Sequence, residues 1–114
     1  MTKKILIVDN EPLILNAVER ALARVGYLTV RAQNMKELDK AMGHGPFDLL
    51  ITDVHLDEGF VEDIVKRVKE SSASVPVLMM SGSENTGMFP HFIEKPFSIE
   101  GLRNKVKDML NDSE

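Results

Sequence analysis

Near its N-terminus the chain reads Ile5-Leu6-Ile7-Val8-Asp9-Asn10-Glu11-Pro12, and this segment shows which kind of sheet it builds. Ile5 to Val8 is an unbroken, mostly β-branched run, the composition of a strand covered on both faces. It ends in a polar turn at Asp9-Asn10-Glu11. Pro12 then suits the first turn of a helix, where a missing N–H costs nothing. Ile14, Ala17, Val18, Ala21, Leu22 and Val25 recur at helical spacing until Gly26 stops the run. A doubly covered strand feeding an amphipathic helix is the start of a parallel α/β sheet.

The same alternation continues. Tyr27 to Ala32 alternates, with Leu28, Val30 and Ala32 on one side, as an edge strand does. Asn34-Met35-Lys36-Glu37 has the spacing of a capping box and opens a short helix with Leu38, Ala41 and Met42 inward. Gly43-His44-Gly45-Pro46 ends it. Asp48 to Thr52 reads as a third strand with Asp53 at its C-terminal end. Phe60, Ile64, Val65 and Val68 mark a third helix, Val75 to Met80 a fourth strand and His91 to Glu94 a short fifth. Ser98 can cap a last helix whose buried stripe is Ile99, Leu102, Val106, Met109 and Leu110. The expected fold is α/β: one doubly wound five-stranded parallel sheet with helices on both faces. The segment between Ser81 and Pro90 is too short for a full crossover helix, so the fourth helix should be shortened or absent.

At 114 residues the chain is read as one domain spanning 1–114. Its 14 basic and 18 acidic residues give a net charge of −4, against the clustered basic excess of a general nucleic-acid binder. It has no cysteine, which excludes disulfides, thiolate metal sites and a cysteine nucleophile. No apolar run approaches the ~20 residues of a membrane helix, and none has the form of a secretory signal. The expected location is cytoplasmic, with no membrane and no direct nucleic-acid contact. The three histidines have no metal-binding spacing, and His44 lies in a turn exposed to water; the seven methionines read as core filler.

In an open parallel sheet the ligand site lies beyond the C-terminal ends of the strands, where the strand order reverses. Asp9 and Asn10 follow the first strand, Asp53 the third, Ser81 the fourth and Lys95 the fifth. Two carboxylates at one rim repel, which Mg²⁺ relieves through oxygen ligation. A lysine neutralises further charge and holds an anion, and a serine hydroxyl can donate to it. Together these are the parts of a phosphoryl-transfer site. Singly each has an ordinary explanation: a turn aspartate, a turn serine, a solvated lysine.

These residues resemble the receiver domains of two-component response regulators. The likeness rests on Ile5 to Pro12, Asp48 to Asp53, Val75-Pro76-Val77-Leu78-Met79-Met80-Ser81-Gly82 and Glu94-Lys95-Pro96-Phe97, in that order along essentially the whole chain. It implies strand order 2-1-3-4-5 and a phosphorylation-dependent switch rather than a turnover enzyme. Asp53 would accept a phosphoryl group from a sensor histidine kinase or phosphotransfer protein. Asp9, with Asn10, Asp53 and the backbone carbonyl of His55, would hold Mg²⁺. Ser81 and Lys95 would contact the phosphoryl group, and Ser81 and Phe92 would form the switch. The Lys95–Pro96 bond would be cis and aim the lysine over the site. The first helix, around Ile14, would dock the kinase.

The chain departs from that pattern in three places. Asn10 stands where a second acid is usual, so Mg²⁺ should bind weakly, with Glu11 compensating at most through a water. The loop Val54-His55-Leu56-Asp57-Glu58 reaches Gly59 without the usual proline, with Asp57 and Glu58 placed to favour the next helix N-terminus. The shortened crossover leaves Met88 and Phe89 to cover the gap. Only Asn111-Asp112-Ser113-Glu114 follow the last helix, so output is expected through an unknown downstream protein unless the sequence is part of a longer chain. Two alternatives stand beside the switch. One is a degenerate receiver acting as a phosphorylation-independent binding module. The other is a hydrolase or nucleotide enzyme, which the absence of a glycine-rich phosphate loop disfavours.

Overall fold

The computed structural model describes residues 2–53, 55–56, 59–82 and 90–110. In chain order these form β1 (Lys4–Val8), α1 (Pro12–Ala23), β2 (Leu28–Ala32), α2 (Met35–Ala41), a 3₁₀ turn (Met42–His44), β3 (Leu49–Asp53), β4 (His55–Leu56), β5 (Gly59–Phe60), α3 (Val61–Lys69), β6 (Val77–Ser81), β7 (Phe92–Glu94) and α4 (Ile99–Leu110). Five strands make one sheet in the order β2-β1-β3-β6-β7. Every pairing in it is parallel. Counting only these strands, the order is 2-1-3-4-5, as expected.

The sheet divides the core into two layers because alternate residues of a strand point to opposite faces. Leu6, Val8 and Leu50 pack on one face with Leu38, Ile64 and Val68 of α2 and α3. Ile5, Ile7, Leu49 and Ile51 pack on the other with Leu15, Val18 and Leu22 of α1 and Leu102 and Val106 of α4. Complete burial of both sides of β1 is what its apolar run requires, and each such leucine or isoleucine contributes about 1.5–3 kcal/mol. Local chemistry sets the helix ends. Asn34 Oδ1 accepts the Glu37 N–H at 2.9 Å, while Glu37 Oε1 accepts the N–H of Gln33 at 2.8 Å. The return bond thus reaches one residue before the cap, a variant of the expected box. Ser98 Oγ accepts the Gly101 N–H at 2.9 Å. Gly26 has φ 96°, a backbone conformation that a β-carbon disfavours, and the turn after α1 uses it.

Several sequence expectations are corrected. The buried seam of α1 is Leu15, Val18, Ala21 and Leu22, not a stripe running from Ile14 to Val25. Ala17 is exposed, and Val25 lies in the turn beyond the helix with 49% of its surface in water. The helix ends at Ala23, so the seam needs no residue there. Ile99 is 42% exposed because it begins α4 at the edge of the layer. On the edge strand burial is graded: Leu28 is exposed, Val30 half-buried and Ala32 buried. Helix α3 starts at Val61, Phe60 belonging instead to the small antiparallel pair β4–β5. Two-residue strands carry no detectable period, so the sequence had no signal for that pair. The expectations for the 83–89 crossover, Met88, Phe89, Asp57 and Glu58 fall outside the described residues.

Candidate functional site

The ends of β1, β3, β6 and β7 share one rim because the strands are parallel. The pairing Val8↔Thr52 sets Asp9 beside Asp53, one residue further along each strand. The pairing Ser81↔Glu94 sets Lys95 one residue beyond Ser81. Strands β1 and β3 flank the point where the order reverses, the usual place for a ligand in such a sheet.

Asp9 is fully buried, and its N–H donates to the Ala32 carbonyl at 3.2 Å. Its Oδ1 accepts the Glu11 N–H at 2.8 Å, a bond of the kind that folds an aspartate turn back on itself. Its Oδ2 accepts from Lys95 Nζ at 2.9 Å. The same ammonium lies 3.5 Å from Asp53 Oδ2 and 3.6 Å from Glu11 Oε1. Burial of the lysine disfavours its charged form, yet the hydrogen bond to Asp9 and the charges of Asp53, Asp9 and Glu11 outweigh that cost. Its pKa is therefore held above the ordinary lysine value. Lys95 is anchored from its backbone too, its N–H donating to the Ser81 carbonyl at 2.6 Å, and the Lys95–Pro96 peptide bond is cis. Ser81 itself is buried at the same rim.

One oxygen from each of Asp9, Glu11 and Asp53 falls within 4.8 Å of the others. With Lys95 among them, three negative charges and one positive leave −2. Carboxylate oxygens around an excess of negative charge are the hard donors that Mg²⁺ takes, so the residues present fit that ion. Glu11 is closer to the cluster than expected; the turn held by Asp9 brings it there. Asn10 is half-buried beside them, and its carbonyl lies 3.5 Å from Gln33 Nε2. His55 stands two residues beyond Asp53 as a partner of Phe60 in β4–β5, and its side chain falls outside the described residues. Phe92 is on the sheet's edge strand, paired with Met79 and 36% exposed, away from the carboxylates' rim by the length of β7. His44 is exposed, as expected. Among the described residues no helix is long and apolar enough to cross a membrane.

Comparison with known proteins gives the same picture. The profile of the response regulator receiver domain matches residues 5–107. Response regulator protein PilR of Pseudomonas aeruginosa is 35% identical over 117 residues, covering 95% of this chain and 26% of PilR. The polar-differentiation response regulator DivK of Brucella ovis is 29% identical over 124 residues, covering 99% of this chain and all of DivK. The solved structure of the chemotaxis response regulator CheY4 of Vibrio cholerae superposes with TM-score 0.85 at 24% identity, covering 96% of this chain and 100% of that one. The chain spans about a quarter of PilR and about half the length of two other curated relatives it matches. With a profile match that runs from the first strand into the last helix, the chain belongs to the response regulator receiver domain family.

Proposed function

We propose that Asp53 accepts a phosphoryl group from a histidine of a sensor kinase or phosphotransfer protein, and that the resulting acyl phosphate changes the affinity of this domain for a downstream protein in the cytoplasm. The observation that carries the proposal is the placement of Lys95 Nζ, from the end of the edge strand, 2.9 Å from Asp9 and 3.5 Å from Asp53, the two aspartates at the ends of the strands that flank the switch point. In this reading an Asp53 carboxylate oxygen attacks phosphorus, and the bond from phosphorus to the donor's histidine nitrogen breaks with its electron pair left on nitrogen. Lys95 pairs with the charge that moves onto the phosphoryl oxygens, and the Ser81 hydroxyl donates to one of them. Asp9 and Asp53, with the Asn10 amide, the His55 carbonyl and the nearby Glu11, are the groups that would hold Mg²⁺. When bound, that ion supplies charge neutralisation between the carboxylates and the incoming phosphoryl oxygens.

Leu13, 81% exposed on the first turn of α1 beside this rim, offers an apolar anchor for the phosphodonor protein. Ser81 and Phe92 are the proposed relay from the acyl phosphate to the edge strand. Asn10 favours one second reading, a binding module that no longer takes phosphate, because an amide brings no charge to the cation site. Incubation with Mg²⁺ and acetyl phosphate, followed by intact mass measurement, distinguishes the two. The switch predicts an adduct of one phosphoryl group that is lost in Asp53→Ala. Absence of any adduct at saturating Mg²⁺ overturns the switch in favour of the module.

A further inference from the structure

The two edges of the sheet differ in how well they are guarded. β7 is three residues long and ends in Glu94, and a short, charged strand is one way a sheet keeps other chains off its edge. β2 runs for five residues, Leu28-Thr29-Val30-Arg31-Ala32, pairs with β1 alone and holds one register throughout, with no proline, lysine or bulge. The Leu28 N–H donates to the Lys3 carbonyl and the Ala32 carbonyl accepts the Asp9 N–H, so residues 28, 30 and 32 turn their backbone groups towards β1. Thr29 and Arg31 turn theirs outwards, where among the described residues no backbone group pairs with them.

This edge is complementary to itself. Under a two-fold axis through Val30 and perpendicular to the sheet, the β2 strands of two copies run antiparallel. Thr29 of each copy then faces Arg31 of the other, and each such pair exchanges both of its N–H···O=C bonds. Val30 meets Val30, and the exposed Leu28 meets Ala32, so no like charges stand opposite one another. The flanking side chains obey the same axis. Arg31 bonds Asn16 and Glu19 through Nη1, and Glu19 also takes the Thr29 hydroxyl at 3.3 Å. Arg31 of the second copy, opposite Thr29, therefore comes beside Glu19. Over the other face lies a groove of about 230 Å³ lined by Val30, Arg31, Glu37, Lys40, Ala41 and His44. Glu37 sits at the C-terminal end of β2, where it accepts the Gln33 N–H. His44 sits at the N-terminal end, its carbonyl accepting from Lys4, the residue paired with Leu28. The axis exchanges these two ends and brings Glu37 of one copy to Lys40 and His44 of the other. Glu19 and Glu37 balance Arg31 and Lys40 here, although the chain as a whole carries −4.

We infer that two copies of this chain associate through β2, joining their sheets edge to edge with Val30 on the axis. A closed two-fold pair is the assembly that a self-matching edge forms. A foreign peptide added as a strand would satisfy the same backbone groups but would leave the reciprocal Glu19–Arg31 and Glu37–His44 matches unused. The contact is small for a protein interface, so the dissociation constant is expected on the order of 100 µM. No residue of β2 belongs to the phosphoryl site, and the inference does not rest on it.

The test uses the full, unphosphorylated chain. Sedimentation between about 10 µM and about 1 mM should show a monomer passing into a dimer. Amide hydrogen exchange of Thr29 and Arg31 should slow about fivefold over that range, while the outward amides of Phe92 and Glu94 on the other edge keep their rates. The chain has no cysteine, so single cysteines report the register. Val30→Cys sets two copies of one residue opposite each other, about 4.5 Å apart between α-carbons and within disulfide range. Mild oxidation should link it at least about tenfold faster than Leu28→Cys, which faces Ala32. Thr29→Pro removes one outward N–H, a change that an edge strand tolerates, and should stay monomeric at about 1 mM while still forming the acetyl phosphate adduct. Asp53→Ala should dimerise like wild type, which separates this inference from the phosphoryl reading. A wild-type chain that stays monomeric at about 1 mM overturns the inference. So do exchange rates of Thr29 and Arg31 that ignore concentration, Leu28→Cys linking as fast as Val30→Cys, or Thr29→Pro dimerising like wild type.

Discussion

Two clusters of charge in this molecule look alike on paper. In one, Lys95 stands 2.9, 3.5 and 3.6 Å from Asp9, Asp53 and Glu11. In the other, Arg67 stands 3.0 Å from Asp39 and 2.8 Å from Glu70. Each is a cation among more than one carboxylate at hydrogen-bond or near-contact range. What separates them is water. The side chains of Arg67, Asp39 and Glu70 are 36, 63 and 57% exposed, so solvent and salt screen their attraction, and the arrangement does little beyond tethering α2 to α3. Lys95 is 15% exposed, Asp53 14% and Asp9 not at all, and only Glu11, at the cluster's outer side, is open to water at 61%. For the three covered groups hydration cannot replace the attraction, so each holds the others in place, and the excess negative charge is available to a cation or a transferred group. Distance makes an ion pair; burial makes a site.

The largest expected effect of breaking the buried cluster is chemical. Asp53→Asn should abolish the acetyl phosphate adduct in an intact mass spectrum, while Asp39→Asn should leave its yield unchanged. An adduct that persists in Asp53→Asn would move the acceptor elsewhere. Next comes stability. Lys95→Met leaves Asp9 buried without its cation and should destabilise the fold by about 1–3 kcal/mol, less than a wholly buried pair because the lysine keeps some contact with water. Chemical denaturation checks this, and Arg67→Met should shift the midpoint far less.

A smaller effect sharpens the comparison from the cation's side. Asn10→Asp adds a fourth carboxylate to the rim and should tighten Mg²⁺ binding by about tenfold, measured by calorimetry. The smallest concerns pH. Because the folded pKa of Lys95 is raised, its stabilisation should be complete below the ordinary lysine value of about 10.4 and decline as pH rises through the higher folded value. The gap in denaturation midpoint between wild type and Lys95→Met should therefore hold steady from neutral pH to about 9 and narrow above about 10.5. A gap that closes near neutrality would mean that the ammonium is not what stabilises Asp9.

The elements that the sequence discloses well are those whose signal is local or periodic. The Ile5–Val8 run, the Asn34 cap and the Ser98 cap each depend on neighbours within a few positions, and the structure has them with the expected hydrogen bonds or burial. Errors arise where burial depends on what lies opposite. Leu15 joins Val18, Ala21 and Leu22 in the fully buried seam of α1, while Ile14 packs at its margin and Val25 lies outside it, a difference of helix rotation that apolar spacing alone does not resolve. Ile99 has the right spacing for the α4 stripe but sits past the edge of the layer that would cover it. The β4–β5 pair is too short for any period.

The site divides the same way. From residue order alone, Asp9, Asp53, Ser81 and Lys95 could be assigned to strand ends, and parallel strands imply a common rim. Their separations, and the entry of Glu11 through the turn bonded to Asp9, depend on register and side-chain direction across residues far apart in the chain. The sequence by itself therefore determined the sheet, its alternation with helices and the kinds of group at its rim, since period, turns and caps act between near neighbours. Only the tertiary structure decided which charges lose their water, because burial is a property of how distant segments cover one another.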